Sequence, residues 1–508
     1  MKKLFAMMLA LVMVLAAVPV LAEGEETYVA KIGEQEYTTL DEAIEAANDG
    51  NTIVLLADCE TKGMNLNKDL SIDGGTDKHT VRFTQYGIAL WEKSLMFKNC
   101  KVVMNGIGST PYAEWSWMAI CASKDASLLL ENTEMTMNGA EGNTAHAIYF
   151  CSNNKLNLTD SKLEIKNYQQ DALEWDGGDG GYNVNITNST FISDHNRSGF
   201  TGTFTAKIDN SKVDVINSTG NGSNGSHFEI VNGSAVNFSD NNAHGLSTGR
   251  LTIDNSTVTA NGNGANGVHA GNTLIIKNNA VVEIKKNGCR ISSDWTIPGA
   301  LYVYGAEGSN IDKTSAVTIT ENKGSGILLK GGSLNIEEGA KLTVMNNTAE
   351  LLEYGGGVNV RGNLTLPQNA KIYNNHAAKA GDDIYNAEVA SITFGNVGSA
   401  WILDDCNHMI NGWYDDAENS RWNSTCDGKP CIAERPDHAS MVVAGTISGP
   451  KALKAAHDAQ ITTEEPWYPP YNPTPVQPVQ PVQPAPLPPQ TGDMPLWYAV
   501  AQFLGLVK

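Results

Sequence analysis

The chain has 508 residues, a formal net charge of -21 and 41% hydrophobic residues, enough apolar side chain for one elongated domain or a few compact ones. With 56 acidic against 35 basic residues and no Lys/Arg stripe, nucleic acid and anionic lipid are excluded as electrostatic partners. Eight cysteines at irregular spacing are too few for a disulfide scaffold.

Residues 1–22 read as a secretory leader. Lys2 and Lys3 precede an apolar run from Leu4 to Val18, and Val20-Leu21-Ala22 stands before Glu23 as a small-residue cleavage site. A membrane anchor is the weaker reading, because the run is too short to span comfortably. Residues 23–75 are expected to form an entry cap. Thr39 and Glu42 make a capping box, Leu40, Ala43, Ile44 and Ala47 share one helical face, and Gly50 stops the helix. Thr52 to Leu56 and Leu70 to Ile72 read as first strands. Such a helix covers strand edges that would otherwise invite aggregation.

Residues 76–400 carry a repeat. Units open on Leu95, Leu128, Leu156, Val184, Ala206, Phe228, Leu251 and Leu274, in steps of 33, 28, 28, 22, 22, 23 and 23 residues. Two places later stand Phe97, Leu130, Leu158, Ile186, Ile208, Ile230, Ile253 and Ile276, the period-2 alternation of a half-buried strand. Four places from the start stand Asn99, Asn132, Asp160, Asn188, Asn210, Asn232, Asn255 and Asn278. Apolar residues return at Val102, Met135, Leu163, Phe191, Val213, Val258 and Val281. Each unit is therefore strand, Asn-centred bend, second strand. A unit this short cannot bury its own apolar face, whereas stacked units make a continuous core, so the fold is expected to be an all-β parallel solenoid. The Asn column is structural: asparagine tolerates the left-handed conformation of a sharp bend, and stacked amides can bond along the axis. A Gly-flanked third strand follows in Ser198-Gly199-Phe200, His244-Gly245-Leu246, Asn266-Gly267-Val268, Ser325-Gly326-Ile327 and Gly356-Gly357-Val358. From Val317 onward the units lengthen, with Glu338 and Gln368 at the Asn place. Cys59, Cys100, Cys121, Cys151 and Cys289 lie in or beside apolar stretches and read as buried hydrophobes.

The entry Thr39-Leu40-Asp41-Glu42-Ala43-Ile44, the Asn-Ser bends and the Gly-flanked third strands resemble the pectate-lyase-type right-handed β-helix superfamily over roughly residues 28–400. The later Tyr373-Asn374-Asn375-His376-Ala377 and Gly381-Asp382-Asp383-Ile384-Tyr385 are similar to repeats of bacterial surface adhesins of that architecture. The resemblance implies a right-handed solenoid and, in many members, chemistry on acidic polysaccharide. The glycosidase motifs of the superfamily are not met in order: Ala243-His244-Gly245, Arg290-Ile291-Ser292 and Gly381-Asp382-Asp383 follow the wrong sequence and Asn-Thr-Asp is missing. The lyases imply stacked acidic residues holding Ca²⁺ beside a basic residue. The candidate is the patch Asp171, Glu174, Asp176 and Asp179, with Arg197 one coil on; a solvated acidic loop beside Gly177, Gly178, Gly180 and Gly181 is the competing and preferred expectation.

Residues 401–458 are expected to be an irregular cap. Trp401, Trp413, Tyr414 and Trp422, interleaved with Asp404, Asp405, Asp415 and Asp416, suit either stacking on sugar rings or covering the open end of the solenoid. The same choice applies to Trp115 and Trp117. Cys406, Cys426 and Cys431 cluster with His408, which leaves a local disulfide, a zinc site or free thiols. Residues 459–486 are Pro-rich and suit an extended polyproline II stalk, with a disordered tail as the alternative. In residues 487–508, Leu487-Pro488-Pro489-Gln490-Thr491-Gly492-Asp493 resembles the Leu-Pro-x-Thr-Gly signal cut by sortases, with Pro489, Gln490, Thr491 and Gly492 at the processed end and Pro488 as the departure. The resemblance implies attachment to peptidoglycan at the cell surface.

The sequence thus leads to an exported, monomeric surface rod presenting a rigid face to a glycan or surface-protein ligand, without nucleic acid and without a required cofactor. A lyase or glycosidase on acidic polysaccharide, with Ca²⁺ if a lyase, is the alternative. A surface spacer without a ligand is the third reading.

Overall fold

The computed structural model describes residues 27–457 apart from 141, 143, 152, 178–181, 290–298, 306–307, 350–353, 369, 396–400, 404–407 and 420–444. The chain divides into two compact units, 1–464 and 465–508, and every described residue lies in the first. The leader, the Pro-rich segment, the sortase-like signal, Trp422, Asp179, Cys406, Cys426 and Cys431 fall outside the described residues.

Within the first unit the chain winds as a right-handed parallel β-helix. Each coil contributes an A strand, a bend, a B strand, a second bend and a C strand. The A strands pair in the register read from the sequence: Leu95 lies beside Leu128, and Leu156, Val184, Ala206, Phe228, Leu251 and Leu274 follow one coil at a time. All eight side chains are buried, as are the eight two residues on. The B sheet has 13 strands, from Cys59–Thr61 to Lys371–Tyr373. In the middle coils the C strand runs straight into the next A strand, giving the long strands Phe200–Asp209, Ser223–Val231, Leu246–Asp254 and Val268–Lys277. One expected inward residue is displaced. Val282, not Val281, pairs with Val258 and is buried, while Val281 is 44% exposed. The reason is an extra left-handed residue, Asn279, after Asn278 at that bend.

The bends explain the repeat chemically. At the first bend Asn99, Asn132, Asn188, Asn210, Asn232, Asn255 and Asn278 all have φ between 45° and 58°, the left-handed region that asparagine tolerates best after glycine. The amide chain expected along them is partial. Asn132 donates to Asn99 and Asn210 to Asn188, but Asn232 donates to Asp209 and Asn278 to Asp254. Continuity there comes from the hydroxyl residue that follows, directly or, at Ser234, after Gly233: the backbone N–H of Thr133, Ser161, Ser189, Ser211 and Ser234 each donates to the hydroxyl one coil on, at 3.0–3.2 Å. Gly222 and Gly245 sit where the C strand begins, and a Cβ on either would lie 2.6 Å from the carbonyl oxygen of the next coil's glycine, so only glycine fits.

Both ends are closed by antiparallel pairing. At the N-terminal end the helix Leu40–Ala46 carries the expected capping box, and Leu40, Ala43 and Ala47 are buried; Lys68 Nζ donates to the carbonyls of Ile44 and Ala47 at its C-terminus. At the other end Ile384–Asn386 pairs with Lys451–His457, and Ser391–Phe394 pairs with Gly445–Ser448. His408–Asp415 joins Trp401–Leu403 to Lys451–His457. The segment expected to be irregular therefore contains ordered strands, because the last A and C strands each present a row of unpaired backbone groups that must be met. Cys59, Cys100, Cys121 and Cys289 are buried free thiols and Cys151 is half-buried. Burial pushes Cys59, Cys100 and Cys289 each up to about 12, which keeps them protonated and inert.

Candidate functional site

The outer face of the C sheet brings together residues far apart in the chain. The strands Met118–Ala122, His146–Cys151 and Leu173–Asp176 lie side by side, with Met118 beside His146 and Tyr149 beside Glu174. Asp171 comes from the bend before the third strand, and Arg197 from the equivalent bend one coil on, where its N–H donates to Tyr168 O and Gln170 O. Stacking thus converts spacings of about 25 residues into contact.

At the centre His146 Nδ1 lies 2.7 Å from Glu174 Oε2 and 3.9 Å from Asp171 Oδ2. Asp171 is fully buried, and the Arg197 guanidinium grips it with two bonds, Nε to Oδ1 at 3.0 Å and Nη2 to Oδ2 at 2.5 Å. That bond raises the Arg197 pKa further, so the group stays charged. Its side chain is 47% exposed, which leaves part of the guanidinium facing solvent. The Tyr149 hydroxyl donates to Asp176 Oδ2 at 3.1 Å; burial first, then the Asp176 charge, pushes its pKa far up, so it remains a neutral phenol. The Trp117 ring meets His146 and Tyr149 edge-on at 5.4 and 5.2 Å and is 38% exposed.

Of the acidic patch read from the sequence, Asp171 and Glu174 converge here, Asp176 holds Tyr149, and Asp179 lies outside the described residues. The solvated-loop expectation fails for Asp171, which is buried because Arg197 neutralises it. His146, Tyr149 and Trp117 were missed as a group: each sits in an unremarkable apolar stretch, and only coil stacking sets them beside Glu174. Ligand atoms of His146, Asp171 and Glu174 lie within 4.8 Å of one another, close enough to share a cation. The donor set does not suit Ca²⁺, which takes oxygen ligands, and both Asp171 oxygens are already bound to a guanidinium that would repel a metal ion.

Of the aromatic set read from the sequence, Trp413 is the member whose side chain the structure describes. Trp413, which the sequence left open between stacking on sugar and covering the open end of the solenoid, is buried, with its Nε1 donating to Ile372 O at 3.1 Å and its ring 5.3 Å from Phe394. It plugs the last coil, as the capping alternative required. Trp401 and Tyr414 lie in cap strands. The Gly381-Asp382-Asp383 motif is likewise structural: Asp383 ends a buried amide column and Asp382 is bonded to Lys454.

No family model matches the chain, and no curated protein matches it. Two solved structures are similar to it: the periplasmic alginate epimerase AlgG, at 11% identity and a TM-score of 0.25, and an aspartate-to-alanine mutant of AlgG, at 11% identity and 0.26. Each match covers 68% of this chain and 85% of the other.

Proposed function

We propose that the protein is an exported enzyme that acts on acidic polysaccharide by removing the proton α to a uronate carboxylate, with His146 as base. The observation that carries this reading is the His146–Glu174 pair set beside the half-exposed Arg197 on one open face. A carboxylate at Nδ1 favours the tautomer that leaves Nε2 free to accept a proton. Arg197 supplies a fixed positive charge for the substrate carboxylate, which acidifies the α C–H by stabilising the enolate that forms. The electron pair left on carbon then expels the glycosidic oxygen at the β position, forming a C=C bond, and the neutral phenol of Tyr149 gives that oxygen its proton. Trp117 offers an apolar ring to the flanking sugar. A glycosidase is less well supported, since Asp171 is committed to Arg197 and cannot serve as a free second carboxylate.

The leader-like residues 1–22 and the signal-like residues 487–493 support export and attachment to peptidoglycan. The test is to incubate the purified chain with polyuronates and glycosaminoglycans in D₂O, following unsaturated ends by ultraviolet absorbance and deuterium at the α carbon by NMR. Unsaturated product that disappears in His146→Gln, and that persists in excess chelator, is the expected result. Deuterium without unsaturation would reassign the enzyme to epimerisation through the same carbanion. Binding with neither signal would return the protein to the non-catalytic glycan-binding reading.

A further inference from the structure

The row of the C sheet that contains Asp176 continues, one residue per coil, to Tyr304, Lys330 and Arg361, because Trp175, Gly202, Gly225, Thr248, Ala270, Val303, Leu329 and Val360 are successive register partners. Lys330 and Arg361 are therefore stacked one strand spacing apart, about 4.8 Å. Like charges directly opposite each other cost stability. Where lysines crowd elsewhere on the solenoid they converge on a carboxylate: Lys162 and Lys166 on Glu164, Lys285 and Lys286 on Glu321. Among the described residues Lys330 and Arg361 have no such partner, in a chain that carries 56 acidic residues. Beside them Tyr304 is 54% exposed, and Tyr302 packs edge-on against His269 at 4.7 Å. Burial and then Tyr304 raise the Tyr302 phenol's pKa, and the Arg361 charge opposes the shift. Burial holds His269 neutral, down to about 4, so it adds no charge but can hydrogen-bond a hydroxyl.

We propose that Lys330 and Arg361, with Tyr304 as a platform, form a second subsite that binds an anionic sugar of an acidic polysaccharide lying along the solenoid axis. The inference rests on the acidic-polysaccharide part of the preceding reading, not on its chemistry. Lys330 lies six coils and Arg361 seven from Asp176, so the two sites are about 30 Å apart. A pyranose in an extended chain advances by about one coil, so only an oligomer of about six or more sugars reaches both. Two cations on a strongly acidic chain suit a spaced row of single charges better than the dense field of nucleic acid or membrane.

The experiment is calorimetric binding of the full chain to oligogalacturonate trimers and decamers and to a sulfated heparin decamer, in wild type, Lys330→Ala/Arg361→Ala and the control Lys371→Ala on the B sheet. The expected result is a roughly tenfold loss of decamer affinity and a shallower salt dependence in the double variant, with trimer binding and the control unchanged. Carboxylated against sulfated decamer identifies the anion the subsite takes. Equal decamer affinity in wild type and double variant would overturn the proposal. Loss of decamer affinity in a protein that never forms product would sink the acid–base reading and leave the subsite standing.

Discussion

Two buried aspartates show how surroundings assign tasks to one side chain. Asp171 is buried with both oxygens bonded to Arg197, and it in turn holds the guanidinium beside His146. Glu174→Gln should leave the fold intact yet lower turnover by about 10²- to 10⁴-fold, since the amide no longer holds the imidazole's proton on Nδ1. Asp171→Asn should lower turnover and also cost about 1–3 kcal/mol, because it removes the charged partner of a half-buried guanidinium. Steady-state kinetics and urea unfolding on the same samples separate the two effects; equal stability of both variants would contradict the assignment. Asp383 is the opposite case. Burial pushes its carboxyl up to about 7, against the donors Ala455 N–H and Asn375. The folded state holds this proton more tightly than the unfolded chain, whose aspartate titrates near 3.8, so its contribution is complete below pH 3.8 and is lost as the pH rises through 7. For the adjacent Asp382 burial acts upward, but His376 and Lys454 hold it below the ordinary range, so its contribution is present above 3.8 and lost in acid. Protection of the Lys451–His457 amides, taken relative to their intrinsic exchange rates, should therefore peak near pH 4 and decline on the alkaline side as the pH rises from about 4 to 7, with no further loss from Asp383 above 7. Asp383→Asn should flatten that alkaline limb; an unchanged limb would place its cause elsewhere.

At the scale of bends and strands, the second bend of each coil carries the most consequential polar feature. Asn241, Asn263, Asn287, Asn322, Asn347 and Asn375 form a buried column, each Nδ2 donating to the next side-chain oxygen at 2.8–3.0 Å and the last to Asp383. Asn287→Ala should cost about 2–4 kcal/mol, since it strands a buried donor on one side and an acceptor on the other. Asn210→Ala, on the exposed first bend at φ 45°, should cost about 1–2 kcal/mol for the backbone alone, and Asn210→Gly almost nothing. Denaturant midpoints that rank the two alanine variants the other way would mean the column is not what holds the coils together. This column was legible and was overlooked. It lies five residues beyond the first inward residue of each B strand, as Val236, Val258 and Val282 lead to Asn241, Asn263 and Asn287. Counting from the A strand hides it, because Asn279 and Gly233 insert a residue in some coils and not in others. The A-strand register itself was readable across eight coils, since a one-residue slip would turn every Leu and Ile outward. The His146–Glu174–Arg197 site was readable only as loose acidic and basic residues, because its contacts depend on coil lengths of 25 and 26 residues that bring Tyr149 onto Glu174 and Asp171 onto Arg197.

For the folded unit as a whole, the governing problem of a parallel solenoid is that nothing in its hydrogen bonding limits its length. Every coil offers the next one the same ladder, so termination has to be built separately. The final A and C strands end it by reversing polarity: Ser391–Phe394 and Ile384–Asn386 accept antiparallel partners, Gly445–Ser448 and Lys451–His457. Trp413 fills the core beneath them, and Asp383 joins the Asn column to Ala455 N–H. These parts act as one lid, in which main-chain pairing, apolar filling and a buried carboxylate share the same two strands. Removing residues 401–457 should therefore do more than subtract local stability, because it uncovers two neighbouring strand edges and an apolar core end together. The truncated protein should retain the parallel coils by circular dichroism but associate end to end, seen as a concentration-dependent rise in mass by light scattering. Restoring 445–457 alone, fused after Phe394 through a short Gly/Ser linker, should recover most of the monomer, since it re-pairs both edges. A truncated chain that stayed monomeric would show that the edges are protected by the twist and side chains of the last coil rather than by the antiparallel lid.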